Sequence, residues 1–327
     1  MGPRRLVVSA LCLLLPPPAQ SAEAQTLSDL ISACGAGSES RLSRCQEVVL
    51  SVQAVQGALG LAASGGSDLP GSASTLGWRM KGSPRFALSV RGTLVRAPLP
   101  AISNEGTGVP QGETSANLPS IHISGTVGLF DGFSLGPTVG GFGSVDLTAS
   151  TQWVRTPGDK GFQENVTAWG AGVRVGIIRE SFSLPGVSLS AAYRTLGSSH
   201  LWDMDAGDPA EVAFDLRTSS LRGVVGKDIR GIGLFGGLGW DRYSGDASIA
   251  VAFPAFGVPV LFSGSGELRS ERYLYFLGAS MTFLALQISA EVGLAEGFDL
   301  ALPSQTPGGF DSSSRSEFGS IAFRLTF

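Results

Sequence analysis

Between Phe86 and Phe327 the sequence alternates, in run after run, between apolar side chains and small or polar ones. Successive residues of a β-strand point to opposite faces, so this period of two predicts strands that are apolar on one side only. The final run shows the pattern most clearly, with Ile321, Phe323, Leu325 and Phe327 on one face and Ser320, Ala322, Arg324 and Thr326 on the other. The runs predict ten strands.

The apolar residues of the chain are therefore expected in strands rather than in membrane-spanning helices. After residue 24, no stretch approaches the roughly 20 uninterrupted apolar residues that such a helix needs. Charged residues make up only 15% of the chain and glycine 46 of its 327 residues, which is unusual for a soluble enzyme. The net charge of −4 and the lack of Lys/Arg clusters also argue against nucleic-acid binding.

The lengths of the connections between strands favour a barrel. Short connections are predicted near 131–132, 180–185, 227–230 and 283–284, and long ones near 97–118, 154–165, 196–210, 244–267 and 297–315. Short turns on one side and long loops on the other are typical of membrane barrels. The predicted fold is thus all-β, an antiparallel transmembrane β-barrel of about ten strands over residues 86–327. Ser248–Phe262 could supply another hairpin, which keeps twelve strands open.

Aromatic residues favour the membrane barrel over a secreted β-sandwich or a soluble β-barrel. They lie where the predicted strands end, at Trp153, Trp169, Tyr193, Trp240, Tyr273, Tyr275, Phe283 and Phe327. Amphipathic rings prefer the headgroup level of a bilayer, so membrane barrels carry such girdles at both interfaces.

The first 24 residues have the features of a secretory signal peptide. Arg4 and Arg5 precede an apolar run over 6–15, and Ala22-Glu23-Ala24 offers small residues for cleavage. The run is too short to cross a bilayer as a helix. We therefore expect an exported protein whose mature chain begins near Gln25.

Residues 25–66 are predicted to form a helical segment ahead of the barrel. Apolar residues recur at spacings of three and four, at Leu42, Cys45, Val48, Val49, Val52, Val55 and Leu59. This spacing predicts an amphipathic helix, which could cap the barrel on its periplasmic side or plug its lumen. Residues 67–85, rich in Gly, Ser and Pro, are predicted to be a linker.

Cys34 and Cys45 are the only cysteines that follow the signal peptide. An exported chain reaches an oxidising compartment in which nearby cysteines pair, so we expect a disulfide between them. The alternative is a metal or redox pair, but the CxxC spacing and neighbouring Cys or His residues are missing.

The face opposite to the apolar one collects charges of both signs. If it lines the lumen, as the alternation implies, the lining includes Arg91, Asp146, Arg174, Arg194, Asp215, Arg217, Arg272, Glu291 and Arg324. These groups could pair with one another and close the barrel, or their arginine excess could select polar or anionic solutes. Glycines on the same face, among them Gly237 and Gly278, could make room for a ligand or for the helix.

Only His122 and His200 could act as bases near neutral pH. His122 and Ser124 lie on one side of a strand, and this His-x-Ser pair resembles that of an outer-membrane lipid A deacylase family. The run from His200 to Asp205 resembles the acidic and His groups of omptin proteases. Neither histidine has a carboxylate partner that the sequence identifies, so we expect no catalytic residue, no metal site and no cofactor.

The terminal strand resembles the C-terminal signature of Gram-negative outer-membrane proteins, through Ile321, Phe323, Leu325 and Phe327. That resemblance implies residence in the bacterial outer membrane, contact with its lipids and insertion by the barrel-assembly machinery. Gly71-Ser72-Ala73-Ser74-Thr75, placed after a helix, resembles an element of FadL-type transporters of hydrophobic compounds. The helix ahead of the barrel is also similar to that of autotransporter translocator domains, which have twelve strands.

The sequence thus favours a non-enzymatic outer-membrane barrel that lets a small or hydrophobic solute pass, with the helical segment as gate or cap. The solute is unknown. The alternative is a closed structural or surface-binding barrel. A third hypothesis is an outer-membrane hydrolase that acts on lipid or peptide.

Overall fold

The computed structural model describes residues 31–32, 34, 39–77, 83–100, 113–134, 136, 140–158, 162–163, 165–205, 210–255, 258–297 and 313–327. The predicted signal peptide lies outside these residues. The described elements are helix α1 (Glu39–Ser64) and strands β1 (Phe86–Pro100), β2 (Glu113–Phe130), β3 (Ser144–Val154), β4 (Val166–Ile178), β5 (Gly186–Leu201), β6 (Ala210–Ile229), β7 (Ile232–Ala255), β8 (Val258–Phe283), β9 (Leu286–Ala295) and β10 (Ser316–Thr326).

The ten strands close into one antiparallel barrel, which confirms the predicted fold. Each strand pairs with its neighbours along the chain, and β1 pairs with β10 from Ala87↔Thr326 to Arg96↔Glu317. The twelve-strand alternative is wrong, because Ser248–Phe262 adds no further strand. These residues lengthen β7 and β8, which stay paired up to Ala255↔Val258.

The barrel has a turn end and a loop end. At the turn end, residues 131–143, 179–185, 230–231 and 284–285 connect the strands. Phe86 and Phe327 also lie there, joined by backbone hydrogen bonds of 3.2 and 2.8 Å. The loop end is the opposite end of the barrel, where β1, β3, β5, β7 and β9 end and the strands that follow them begin. The predicted long connection over 244–267 is wrong, because β7 extends to Ala255 and β8 begins at Val258.

The outer wall carries an apolar band in the half of the barrel next to the turn end. Its side chains are exposed to between 42% (Val90) and 69% (Leu277). All ten strands contribute, through Leu88, Val90, Ile121, Leu147, Trp169, Leu189, Tyr193, Leu221, Leu234, Leu238, Tyr275, Leu277, Val292, Ile321 and Phe323. Because a closed barrel satisfies its backbone groups internally, a wall with such a band is suited to cross a bilayer.

Towards the loop end, above the apolar band, the two faces of the wall exchange character. The outward residues there include the charged Arg96, Arg217, Arg242, Glu271 and Glu317. The inward residues are apolar and buried, and they include Val95, Leu118, Val154, Leu196, Phe214, Leu216, Ile249 and Val251. We call the space that these inward residues surround the loop-end chamber. The wall thus continues beyond the band as a water-exposed barrel with an apolar interior.

Helix α1 lies inside the barrel. From Val48 to Ser64 every residue is buried, so the helix is enclosed on all sides and is not amphipathic as predicted. Small residues let it fit: a Cβ atom at Gly60 would come within 2.3 Å of the Tyr243 ring. Within the described part of the chain, no helix combines the length and apolarity that crossing a membrane requires.

The contacts of α1 give its direction along the barrel axis. Gln56 donates a hydrogen bond of 3.4 Å to Leu268 O in the loop-end chamber. Six residues later, Ala62 O accepts hydrogen bonds from Gln152 (2.8 Å) and Ser120 (3.1 Å), nearer to the turn end. The helix therefore runs from the loop end down into the barrel.

Residues 65–77, here called the lumen segment, continue from α1 towards the turn end. Gly65 N donates to Leu61 O (2.7 Å) and Gly66 has a φ of +86°, the left-handed conformation with which many helices end. We predicted these residues as part of a linker, yet Leu69, Ala73 and Leu76 are buried inside the barrel. The sequence of this segment has no apolar periodicity that would predict its burial, because polar contacts with the wall hold it in place.

Candidate functional site in the lumen

Seven of the nine charged residues predicted to line the lumen are buried in the structure, namely Arg91, Asp146, Arg174, Arg194, Arg272, Glu291 and Arg324. Asp215 and Arg217 were predicted wrongly, because their side chains are exposed on the outer face of β6. They lie above the apolar band, where the inward positions belong to the apolar Phe214 and Leu216. The exchange of faces is the physical reason for the error.

An ion pair that the sequence analysis missed closes the end of α1. Arg222 and Asp241 have fully buried side chains and are joined by hydrogen bonds of 2.6 and 3.0 Å. Arg222 also donates to Ser64 O (2.8 Å) and Gly66 O (3.2 Å), where a cation complements the helix dipole. Tyr243 and Ser64 donate to Asp241 at 3.0 and 2.7 Å. The pair thus ties the wall to the helix.

The pairing of β6 with β7 was the signal that would have located Arg222. Trp240 belongs to the outward apolar pattern of β7, and its partner across the hairpin is Leu221. Arg222 must therefore face inward, opposite Gly239. The prediction instead placed Asp215 and Arg217 inward, and the same alternation continued along the strand puts Arg222 on the outward face.

Asp68 fastens the lumen segment to β5. Its carboxylate accepts hydrogen bonds from Arg194 (2.6 Å) and from Ser190 (2.5 Å). Burial by itself would raise the pKa of Asp68, but Arg194, Arg222 and the Ser190 hydroxyl together hold it well below its usual range. Asp68 is therefore ionised in the folded protein. No sequence signal marked it, because it lies in a run of Gly and Ser.

Glu291 and Arg91 hold the same segment from the opposite side. Glu291 accepts hydrogen bonds from the backbone N–H of Ser67 (3.0 Å) and from its hydroxyl. Arg91 donates to Ser67 O (2.7 Å) and lies 3.2 Å from His122 Nδ1. Strands β1 and β9 therefore converge on one residue of the lumen segment, and His122 of β2 lies beside Arg91.

Closer to the turn end, four strands bind the lumen segment, and β9 is one of them for the second time. Arg174 of β4 donates to Ser72 O at 2.5 Å, and Asp146 of β3 accepts from Leu76 N at 2.8 Å. Gln287 of β9 and Ser280 of β8 donate to Gly71 O, at 2.9 and 3.1 Å. We call the polar contacts between the wall and residues 64–76 the turn-end network.

The inward glycines make room for aromatic rings of the wall itself. Gly237 is paired with Phe276, and a Cβ atom there would come within 2.3 Å of the ring. Gly278 is paired with Phe235, and a Cβ atom at Gly278 would come within 2.4 Å of the Phe235 ring. The rings can therefore lie against the wall and leave the axis of the barrel to α1 and the lumen segment.

Little free space remains around the turn-end network. The cavity beside Asp68 and His122 measures about 10 Å³, at the lower limit of what holds a single water molecule. A much larger cavity, of about 1020 Å³, lies at the turn end below the lumen segment, next to Ser72 and Leu76. The described residues therefore leave little space beside Asp68 and a larger space at the turn end.

The two groups considered for catalysis are engaged in other contacts. Ser124 lies 2.6 Å from the hydroxyl of Ser89, while His122 faces Arg91. In the second group, Asp203 accepts a hydrogen bond from Asp205 N (2.9 Å), as turn-forming Asp residues do. Among the described residues, no cluster of three or more His, Cys, Asp or Glu side chains could hold a metal ion.

The remaining predicted residues lie at the two extremes of the molecule. Cys34 and Cys45 are joined by a disulfide, with Cα atoms 6.0 Å apart. The residues predicted as the assembly signal, Ile321, Phe323, Leu325 and Phe327, are exposed on the outer wall at the turn end.

No protein-family model matches the chain, and no curated protein matches it. Among solved structures, the chain is similar to the outer membrane protease OmpT from Escherichia coli, with a TM-score of 0.35, 9% identity and coverage of 75% of this chain and 96% of that one. It is similar to the translocator domain of autotransporter NalP from Neisseria meningitidis, with a TM-score of 0.37, 12% identity and coverage of 84% and 95%.

The chain is also similar to the Pseudomonas putida toluene transporter TodX, with a TM-score of 0.28, 8% identity and coverage of 79% of this chain and 95% of that one. The matched structures are outer-membrane β-barrels, as the terminal strand predicted, and a channel for a hydrophobic compound is among them. No residue role proposed for this chain rests on these likenesses.

Proposed function

We propose that this protein is an outer-membrane barrel of a Gram-negative cell, closed by its own N-terminal segment, whose function is to present its loop end at the cell surface. The observation that carries the proposal is the turn-end network. Arg91, Arg174, Arg194, Arg222 and Glu291 come from five different strands, and all of them bind residues 64–72. This supports the closed, surface-binding barrel over the open channel that the sequence favoured.

The direction of α1 gives the proposal its topology. Because the helix runs from the loop end into the barrel, the start of α1, with Cys45 and its disulfide to Cys34, belongs to the loop end. With short turns on the periplasmic side, as in outer-membrane barrels, the loop end is the outer one. The long β7–β8 hairpin and the start of the mature chain would then face the medium.

The export and insertion of the chain are part of the same proposal. A signal peptide over residues 1–24 would direct it out of the cytoplasm, and the terminal strand with Phe323 and Phe327 would be recognised by the barrel-assembly machinery. The apolar band would contact outer-membrane lipids. The proposal needs no cofactor and no nucleic acid.

Gated passage of a small or hydrophobic solute is the second candidate. The observation that favours it is the turn-end cavity of about 1020 Å³, which reaches up to Ser72 and Leu76 of the lumen segment. A path would open if α1 and the lumen segment moved away. Hydrolysis ranks third, since His122 and Ser124 contact Arg91 and Ser89.

Single-channel conductance of the refolded mature protein tests the closed state. We expect no steps from the wild type, because buried ion pairs hold the lumen segment in place. A variant that lacks residues 25–66 should conduct, provided that heat-modifiable migration shows a folded barrel. Conductance steps from the wild type that are as large as those from the truncated variant would contradict the closed barrel and support passage of a solute.

Epitope tags on whole cells test the topology separately. A tag inserted after Gln25 and one between residues 256 and 257 should both bind antibody without permeabilisation. A matched tag between residues 284 and 285, at the turn end, should bind only after permeabilisation. A tag after Gln25 that behaves like the third one would overturn the surface presentation of the N-terminal segment.

A further inference from the structure

The turn-end cavity differs in charge from the rest of the molecule. Its lining carries five cationic side chains, Arg85, Arg179, Lys227, Arg230 and Arg324, against the two carboxylates of Glu180 and Asp228. The whole chain, by contrast, has a net charge of −4. An excess of cations in a concave space raises the local concentration of anions.

Arg324 is the residue of this cavity that is best placed to bind an anion. It lies on the inward face of β10, it lines the cavity, and it is only 9% exposed. Its Nε and Nη1 atoms have no hydrogen-bond partner among the described residues. A buried guanidinium with open donors is costly unless a ligand or water satisfies them, and its planar fork matches an oxyanion.

The other cations of the cavity fall into two groups. Arg179 is paired with Asp131 at 2.7 Å, and Lys227 donates to the carbonyls of Phe182 (2.9 Å) and Leu184 (3.2 Å). These two are committed to the turns. Arg85 and Arg230 are exposed and line the same cavity, so they add positive charge at its rim.

We propose that the turn-end cavity is a binding site for a phosphate-bearing anion, with Arg324 as its deep ligand and Arg85 and Arg230 as its rim. The volume of about 1020 Å³ accommodates a phosphorylated solute or a lipid headgroup, which share the same chemistry. Ser72 and Leu76 of the lumen segment border the cavity, but Arg324 is not among the wall residues whose contacts close the barrel. The proposed site therefore goes beyond the proposed surface role and does not depend on it.

Titration of the full mature protein with inorganic phosphate tests the site. The protein is refolded in a maltoside detergent, which carries no phosphate, and binding is followed by ³¹P line broadening. We expect saturable binding that weakens at least tenfold in Arg324→Gln. The matched control Arg217→Gln removes an exposed arginine on the outer wall and should bind as the wild type does.

A variant with an intact interior keeps the test decisive if Arg324→Gln fails to fold. In Arg85→Gln/Arg230→Gln, both substitutions are at the exposed rim, and we expect binding several times weaker than in the wild type. A wild type without saturable binding overturns the proposal. The proposal is also overturned if every variant that folds binds phosphate with the affinity of the wild type.

A second arm separates the two sources of the phosphate group. The protein is placed in nanodiscs of phosphatidylcholine alone or with phosphatidylglycerol, and the phosphate titration is repeated. Competition by phosphatidylglycerol, lost in Arg324→Gln, assigns the site to a lipid headgroup, and equal phosphate binding in both discs assigns it to a free solute. Both results support an anion site and differ only in its occupant.

Discussion

The two halves of the barrel interior are built on opposite principles although the same ten strands form both. In the loop-end chamber, Val95, Leu118 and Phe214 surround an apolar helix. In the turn-end half, Arg222, Arg194 and Glu291 surround the lumen segment, which has few apolar side chains. The proposed membrane location explains the difference. Where the outer face would meet lipid, the inward face takes the polar residues, and where it would meet water, the inward face can be apolar.

This contrast explains how one continuous segment can be held in two ways. Apolar packing in the chamber is non-directional and tolerates small shifts of α1. The turn-end network is directional, because each hydrogen bond fixes one backbone group of residues 64–76. We therefore expect the network to set the position of the plug and the chamber to contribute most of the buried apolar area. The following predictions test that division.

Removal of a network anion should have the largest effect. In Asp241→Ala the buried Arg222 loses its partner, and breaking a buried ion pair in this way costs about 3–5 kcal/mol. Unfolding in urea, followed by tryptophan fluorescence, measures the loss, and conductance steps should appear if the plug is released. The control Asp246→Ala changes an exposed residue of the same strand. Equal stability of the two variants would refute the role of the network.

A cavity in the loop-end chamber should rank next. Leu59 of α1 is fully buried, and Leu59→Ala should destabilise the protein by about 2–5 kcal/mol. Because the network still fixes residues 64–76, this variant should stay closed in bilayers. Leu42→Ala, at a position that is 36% exposed, is the matched control and should change little. Conductance in Leu59→Ala would show that the chamber also positions the plug.

Acid should weaken the network through Asp68. Its folded-state pKa is depressed by Arg194 and Arg222, so its contribution is complete above the unfolded pKa of about 4 and declines as the pH falls further. Asp68→Asn should be less stable than the wild type at pH 7, and the gap should narrow towards pH 3. Thermal unfolding of both proteins between pH 7 and pH 3 measures this difference in stability. A gap that is constant with pH would mean that Asp68 does not act through its charge.

The alternation rule predicted the lower half of the barrel and failed in the upper half for one reason. A period of two assigns residues to two faces but does not say which face is inside. In the apolar band, at residues such as Tyr275 and Phe323, the apolar face is the outer one, as the prediction assumed. Above the band the same rule placed Asp215 and Arg217 inside, because it assumed that apolar residues always point outwards.

The candidate site was predictable only in part, because its two halves come from different kinds of segment. Its wall residues lie in strands, and the alternation identified seven of them, such as Arg91 and Glu291. Its inner residues, such as Asp68, lie in a Gly- and Ser-rich run whose burial depends on long-range contacts with Arg194. Local periodicity carries no information about such contacts.

The smallest change in stability is expected for Arg217, which the sequence predicted to line the lumen and which the structure places on the outer wall. Arg217 is exposed on the outer wall above the apolar band, so Arg217→Ala should change the free energy of unfolding by less than about 0.5 kcal/mol. Arg194→Ala, on the neighbouring strand and buried, should cost much more, because it leaves the carboxylate of Asp68 without its 2.6 Å partner. Urea unfolding of the two variants side by side compares one residue type on the two faces. If Arg217→Ala were as destabilising as Arg194→Ala, the faces would not be exchanged above the band and the loop-end chamber would be misassigned.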